Sequence, residues 1–391
     1  MSNNLFIGAI SGTSMDGLDV SILDICKKSR ENYAFNSIFF KTYKYPDALN
    51  AELKQLVFTK EFELKDFCEL QYKMGKFFAE SILKAVKASG INKQDIKAIG
   101  SHGQNIYHLP SSISDEPYSF QIGHPSIIAG LTDITTVSDF RMADIIAHGE
   151  GAPLAPIFHY HFFKKFKKSF IVLNIGGIAN ITVIDYSKEK IKVSGFDTGP
   201  GNTLIDRAMN RLFKLPYDKN GQIAKKGKVD YSIIKKLLKN DYFQKNNPKS
   251  SGLEKFDDKY LKSIIRKLRA KRANKNDIIS SLTALTAESI SLSLNKHLRK
   301  NMDTVVLCGG GPKNSTMISF LKNLHPDLSF INSDKFGISI DEMEADLFAF
   351  LAYLSINGHR VNLKTVTGSK KEICLGVIAP GGNYRSVYLS H

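Results

Sequence analysis

The residues best suited to chemistry lie in four short, glycine-bearing stretches. The first, Ser11-Gly12-Thr13-Ser14-Met15-Asp16-Gly17-Leu18-Asp19, offers backbone amides and hydroxyls that can ring phosphate oxygens. Its carboxylates could hold Mg²⁺ directly or through water, since that ion takes oxygen ligands and keeps several waters. An ordinary hairpin turn built on Asp16-Gly17 would explain the same residues. The second stretch, Asn174-Ile175-Gly176-Gly177-Ile178-Ala179-Asn180, is open to the same two explanations. In the third, Phe196-Asp197-Thr198-Gly199-Pro200-Gly201-Asn202, the glycines allow close backbone approach. Asp197 is expected at the C-terminal end of a strand, either as a site carboxylate or as a turn or helix-capping residue. The fourth, Cys308-Gly309-Gly310-Gly311-Pro312-Lys313-Asn314, follows a strand and precedes a helix, which suits an adenosine or diphosphate lying on glycine backbone.

Other chemistries lose support. The chain has no GxxxxGK[ST] loop, no GxGxxG fingerprint and no GxSxG elbow. Cys26, Cys68, Cys308 and Cys374 are dispersed without a CxxC pair, which argues against a zinc cluster or a disulfide scaffold and fits a reducing cytoplasm. His102, His124, His148, His159 and His161 lack metal-ligand spacing and read as structural, so no metal ligand set is assigned.

The elements that must carry these stretches occur twice in the same order. Leu5–Ile10 and Val20–Ile25 predict a hairpin around the first stretch, and Phe35–Tyr45 a third strand. Phe67, Leu70, Met74, Phe77, Phe78, Ile82 and Ala85 mark one face of a long helix that stops at Gly90. Lys97–Gly100 reads as a strand entering a loop at Ser101-His102-Gly103-Gln104, followed by a helix at Pro125–Leu131 and a strand at Thr135–Val137. The second half repeats this with strands at Phe170–Ile175, Ile181–Asp185 and Ile191–Phe196 and helices at Thr203–Leu212 and Asp277–Arg299. Strands at Thr304–Leu307 and Leu328–Ile331 and helices at Asn314–Leu324 and Ile340–Ser355 complete it. The expected fold is α/β, with two similar domains flanking a cleft. One is expected over residues 1–135 plus 356–391, carrying the turn at 11–19. The other is expected over 136–355, carrying the turn at 308–314 and a basic helical region at 219–275.

Taken together, the motifs resemble those of the anhydro-N-acetylmuramic acid kinase family, within the actin/Hsp70/hexokinase-like superfamily. The matching runs are Ile7–Asp19, Ser101–Gln104, Gln121–Pro125, Ser138–Asp144, Gly149–Pro156 with His159, and Asn174–Thr182. Gly195–Asn202 with Asp206, Leu307–Asn314 and Glu344–Leu351 continue the match toward the C-terminus. The resemblance implies two RNase H-like domains and an ATP- and Mg²⁺-dependent kinase in peptidoglycan recycling. It would convert 1,6-anhydro-N-acetylmuramic acid and water to N-acetylmuramic acid 6-phosphate. It implies that Asp197 is the general base, that Gly12, Thr13, Ser14, Met15, Asp16, Gly17, Leu18 and Asp19 hold the ATP phosphates, and that Gly176 and Gly177 face them. Gly309, Gly310 and Gly311 would lie beside the nucleoside. Arg141, Glu344 and His102 are candidates for the sugar, with Arg141 suited to its carboxylate; a structural salt bridge for Arg141 and an exposed helix position for Glu344 are the plain alternatives. The family also suggests a homodimer. Four positions depart from its usual pattern: His124 for Asp, Asn105 for Thr, and His148 and Glu150 for Gly and Gln.

The 391 residues carry a net charge of +16, and Lys219–Lys275 alone contributes +13 of it, from 18 Lys/Arg against five acidic residues. Tyr260, Leu261, Ile264, Ile265 and Leu268 recur at helical spacing within that block, so the charge reads as the solvated face of an amphipathic helix. No nucleic-acid-binding signature accompanies it. No run of apolar residues is long enough for a membrane span, and the N-terminus lacks a secretory pattern. Neither nucleic acid nor membrane is therefore expected as a partner. The alternatives to the anhydro-sugar kinase are another sugar or acid kinase of the superfamily, or a nucleotide-driven binding module.

Overall fold

The computed structural model describes residues 4–12, 15–29, 32–59, 62–187, 191–244, 253–299 and 301–388. The expected phosphate contacts of Thr13 and Ser14, and residues 245–252 of the basic block, lie outside that set. The chain forms two compact units, Met1–Phe166 with Glu342–His391, and Lys167–Asp341. Among the described residues no helix is long and apolar enough to cross a membrane.

In the first unit β1 (Leu5–Ser11), β2 (Gly17–Ser29) and β3 (Asn32–Lys44) form an antiparallel meander. Helices α1 (Asp47–Thr59) and α2 (Leu64–Ser89) follow. In α2, Leu70, Met74, Phe78, Ile82 and Ala85 are buried at helical spacing, and Gly90, at φ 73°, closes the helix by donating its N–H to the Lys87 carbonyl. Burial of each large side chain on that face contributes about 2 kcal/mol. Then come β4 (Ile96–Leu109), β5 (Tyr118–Ile122), α3 (Pro125–Thr132), β6 (Thr136–Ser138), α4 (Met142–Ile146) and α5 (Ala155–Phe163). β4 pairs parallel with β1 and β6 and antiparallel with β5. Ser101 to Gln104 therefore lie inside β4, not in the expected loop, because parallel pairing to β1 continues through Ile10↔Gly103 and Ser11↔Gln104.

The second unit repeats the meander with β7 (Phe170–Ile175), β8 (Ile178–Asp185) and β9 (Lys192–Pro200). Helices α6 (Thr203–Phe213), α7 (Tyr231–Leu237), α8 (Asp241–Gln244), α9 (Asp258–Ala270) and α10 (Lys275–His297) precede β10 (Thr304–Cys308), α11 (Ser315–Leu324) and β11 (Ser329–Asn332). Asn274 and Asp277 form a reciprocal capping box that starts α10. The sheet order β11-β10-β7-β8-β9 matches β6-β4-β1-β2-β3 strand for strand, with the same parallel and antiparallel senses. The two α/β units thus repeat one topology, as the order of elements in the sequence predicts. In α9, Leu261, Ile264, Ile265 and Leu268 are buried while Lys259, Lys262, Arg266, Lys267 and Arg269 face solvent, as the spacing predicts.

The chain then returns to the first unit through α12 (Met343–Ile356), β12 (Val377–Ala379), which pairs with β6, and α13 (Tyr384–Tyr388). The boundaries fall at 166/167 and 341/342, not at 135/136 and 355/356. β6 completes the first sheet, and α12 packs on β1, β2 and β4 rather than in the second unit. Every residue of α12 except Glu344 is buried. Gly8 and Gly100 are cross-strand partners beneath it. A Cβ on Gly8 would stand 1.8 Å from the Ala345 carbonyl oxygen, and one on Gly100 1.9 Å from that of Phe348, so the helix backbone rests on glycine. Phe350 of the same helix meets Tyr33 and Phe35 of β3 edge-on, at 5.1 and 5.0 Å.

Asp346 lies on this buried helix at 1% exposure, with no hydrogen-bond partner for Oδ1. Burial, reinforced by the Glu342 carboxylate, pushes its carboxyl up to about 8. Folding therefore takes up a proton between the ordinary value of 3.8 and about pH 8, and stability falls as pH rises through that window. Asp346→Asn removes this dependence. In urea melts its advantage over wild type should grow by roughly 3 kcal/mol between pH 5 and pH 8; a pH-independent difference would contradict the buried, protonated assignment.

Candidate functional site

In the first unit the turn after β1 is held from three sides. Met15, at φ 53°, donates its N–H to the Gly12 carbonyl at 3.1 Å and accepts a hydrogen bond at its own carbonyl from Asn50 Nδ2 of α1. The Asp16 carbonyl accepts from the Tyr45 N–H at 3.1 Å, and Thr42 Oγ1 donates to Asp19 Oδ1 at 2.6 Å. Asp16 is exposed and Asp19 half-buried. The turn lies where β1 ends, beside the C-terminal reach of parallel β4, the edge at which α/β sheets bind ligands.

The two basic candidates of this unit meet directly. Arg141 Nε and Nη2 lie 3.1 and 3.0 Å from His102 Nε2, and Nη1 donates to the Gly151 carbonyl at 3.0 Å. His102 Nδ1 faces the Gly103 carbonyl at 3.1 Å. Burial first, then the Arg141 charge, holds the His102 imidazole well below its ordinary value. It is therefore neutral, donating from Nδ1 and accepting at Nε2. Both ring nitrogens of His102 are thus engaged within the protein. Its ring packs 4.7 Å from that of Phe348 on α12, the helix whose first turn carries half-buried Glu344.

Buried Asp144 shapes the adjoining loop in a way spacing did not reveal. It accepts from the Gly151 N–H at 2.8 Å and from Thr367 Oγ1 at 2.7 Å, while the Glu150 N–H donates to the Thr367 carbonyl. Residue 367 is more than two hundred positions away in sequence, so only folding brings it to Asp144.

In the second unit three of the glycine stretches converge on the end of β7. The Asn202 N–H donates to the Gly176 carbonyl at 2.8 Å, the Gly201 N–H to that of Gly177 at 2.9 Å, and Thr203 Oγ1 to that of Gly177 at 2.7 Å. A Cβ on Gly201 would stand 2.2 Å from the Gly176 oxygen, so the latch requires glycine there. Thr286 Oγ1 of α10 secures the Gly201 carbonyl at 2.8 Å. Gly309 and Gly311 pack against Asn174 and Ile175, whereas Gly310 faces open space. Asp197 is 6% exposed and sits inside β9 opposite Asn180, three residues before the strand ends rather than at its end. Pairing to β8 runs on through Ala179↔Gly199 and Ile178↔Pro200, with a bulge beside Asp197, which explains the longer strand.

The basic block touches this site at one end. Ser315 Oγ and Thr316 Oγ1, in the first turn of α11, donate to the Asn220 and Gly221 carbonyls, each at 2.8 Å. Lys313 in the glycine stretch pairs with Asp341 at 2.7 Å. Among the described residues no group of three or more His, Cys, Asp or Glu side chains could hold a metal ion.

Because the unfolded His102 takes a proton near 6.5 and the folded one resists it, stability should fall as pH drops below that value. His102→Gln keeps an acceptor for Arg141 and should flatten this acid limb. His102→Phe should cost about 2 kcal/mol in urea denaturation at neutral pH, the worth of a hydrogen bond to a charged group; equal stability of the two variants would contradict the pairing.

Comparison with known proteins agrees with the motifs. The family model for anhydro-N-acetylmuramic acid kinase matches residues 4–381. The chain is 35% identical over 383 residues to an anhydro-N-acetylmuramic acid kinase of Caldanaerobacter subterraneus, covering 96% of each chain. It is 38% identical over 378 residues to one of Sulfurovum sp., covering 96% of this chain and 99% of that one. Among solved structures it is similar to the activator of the 2-hydroxyisocaproyl-CoA dehydratase from Clostridium difficile, at 13% identity and a TM-score of 0.43, covering 88% of this chain and 92% of that chain. The chain belongs to the anhydro-N-acetylmuramic acid kinase family.

Proposed function

We propose that this protein is an ATP-dependent kinase that takes 1,6-anhydro-N-acetylmuramic acid and water to N-acetylmuramic acid 6-phosphate and ADP, in recycling of cell-wall sugars. The carrying observation is the Asp-Thr-Gly-Pro-Gly-Asn segment, within a family match that spans residues 4–381. Asp197, nearly buried on β9, takes a proton from water as the water oxygen attacks C1. The C1–O6 bond breaks, and O6 attacks the γ-phosphorus, displacing ADP. The departing oxygen is thus captured by phosphorus and needs no general acid.

Gly12 to Asp19 are read as the turn that binds the ATP phosphates, with Gly176 and Gly177 as a second phosphate contact and Gly309 to Gly311 beside the nucleoside. Positioning and charge stabilisation are most of what phosphoryl transfer requires. Asp16 and Asp19 fit Mg²⁺, an ion that usually takes one or two carboxylates, waters and the phosphates themselves rather than an all-protein cage. Bound there, Mg²⁺ would neutralise charge building on the phosphates. Arg141 pairs with the sugar's carboxylate and is oriented for it by His102, and Glu344 contributes to the same sugar. We extend the reading to a cytoplasmic homodimer, on the dispersed cysteines and the family resemblance.

Asp197→Asn should lower sugar-dependent ADP formation by about 10²- to 10⁴-fold while leaving ATP binding measurable by calorimetry. Near-normal turnover would end the general-base assignment. Mass spectrometry of product made in ¹⁸O-labelled water should place one label on the anomeric hydroxyl. A phosphorylated sugar that keeps its anhydro bridge would point instead to an ordinary sugar kinase.

A further inference from the structure

Three buried side chains from three elements meet where β1 gives way to the glycine turn. Tyr45 follows β3, Ser11 is the last residue of β1, and Gln104 stands opposite Ser11 on β4. They are 6%, 2% and 2% exposed. Tyr45 Oη donates to Ser11 Oγ at 2.7 Å, and Ser11 Oγ donates to Gln104 Oε1 at 2.5 Å. Gln104 Nε2 then donates to the Asn105 carbonyl at 3.1 Å.

The direction of this line is determined. Burial holds the Tyr45 phenol above its ordinary value, so it keeps its proton to donate, and the Asn105 carbonyl at the other end can only accept, which orients the Gln104 amide. Ser11 has one hydrogen, and with its oxygen accepting from Tyr45 that hydrogen goes to Gln104. The amide must then present Oε1 to Ser11 and Nε2 to Asn105. A buried network with each member satisfied has one arrangement, and leaving any member short is costly. Phe77 of α2 packs 5.0 Å from the Tyr45 ring and fixes its place. The Tyr45 N–H meanwhile holds the Asp16 carbonyl, so one residue grips both ends of the turn.

We propose that Tyr45 and Gln104 are positioning residues for phosphoryl transfer: through Ser11 they fix the exit of β1, and through the Asp16 carbonyl Tyr45 fixes the re-entry into β2, so that Gly12 and Met15–Asp19 are set for the ATP phosphates. This rests on the reading of that turn as the phosphate site. Neither residue touches the nucleotide; both act on the backbone that does. Gln104 also lies two residues beyond His102, so β4 bears on the turn through one side chain and on Arg141 through the other.

The test separates positioning from plain stability. In Tyr45→Phe the ring remains and only the hydroxyl is lost. The KM for ATP should rise about five- to tenfold, while the KM for the anhydro sugar stays within about twofold. Ser11→Ala should behave alike, and Ser11→Thr, which restores a hydroxyl, should recover ATP affinity. If Tyr45→Phe does not fold, Gln104→Met and the Ser11 pair carry the same comparison. An unchanged KM for ATP alongside a lowered melting temperature would overturn the proposal, as would an equal rise in both KM values. ADP binding to the wild type is measured beside them by calorimetry. A wild type that binds no adenine nucleotide sinks the reading of the turn itself, whereas tight binding in wild type and variants alike sinks only the relay.

Discussion

The first unit depends on a backbone-to-backbone contact that few sequences permit. α12 lies so close to β1 and β4 that the Ala345 and Phe348 carbonyls occupy the space where Cβ atoms of Gly8 and Gly100 would be. Any side chain at either position must push the helix off the sheet, and interiors packed to crystal density do not absorb such a shift cheaply. The consequence reaches across the unit. The same helix presents Glu344 in its first turn, places Phe348 against the His102 ring, and seats Phe350 among Tyr33 and Phe35. Displacement of α12 would therefore move the support of Arg141 as well as the hydrophobic core.

Polar groups around the turns follow a common rule: a side chain from a neighbouring helix bonds the backbone of a loop that has no regular ladder of its own. Asn50 does this for Met15, Asp144 for Gly151, and Thr286 for Gly201. Each satisfies a backbone group that would otherwise be exposed or unpaired. Such bonds matter most where chemistry rests on positioning, because a misplaced phosphate-binding amide loses its advantage over water.

Much of this was legible in residue order. The two meanders, the long helix ended by Gly90 and the amphipathic α9 follow from alternation and helical spacing, which are local properties. The errors share one cause. Gln104 and Asp197 read as loop or strand-end residues, because glycine nearby signals a turn; pairing with β1 and β8 overrides that local preference and carries each strand further. The unit boundaries were misplaced for the same reason, since β6 and α12 reveal their partners only through contacts far along the chain. Arg141 and His102 were identifiable as candidates by type and motif. Their mutual bond, and the neutrality it requires of His102, follow from burial that no single-residue pattern encodes.

The four departures from the usual family pattern all fall in the first unit. His124 caps α3 by accepting at Nδ1 from the Ser126 N–H at 3.2 Å, the task an aspartate would perform at the start of a helix. Asn105 Oδ1 accepts from Gln121 Nε2 at 2.9 Å, joining β4 to β5. Glu150 accepts from Ser112 Oγ at 2.8 Å. His148, at φ 64°, donates its N–H to the Ile145 carbonyl at 2.9 Å in the bend after α4. Each replacement makes a bond to its own surroundings in the first unit. His124, Asn105 and Glu150 make these bonds through their side chains and His148 through its backbone amide, so all four positions are tied into the first unit.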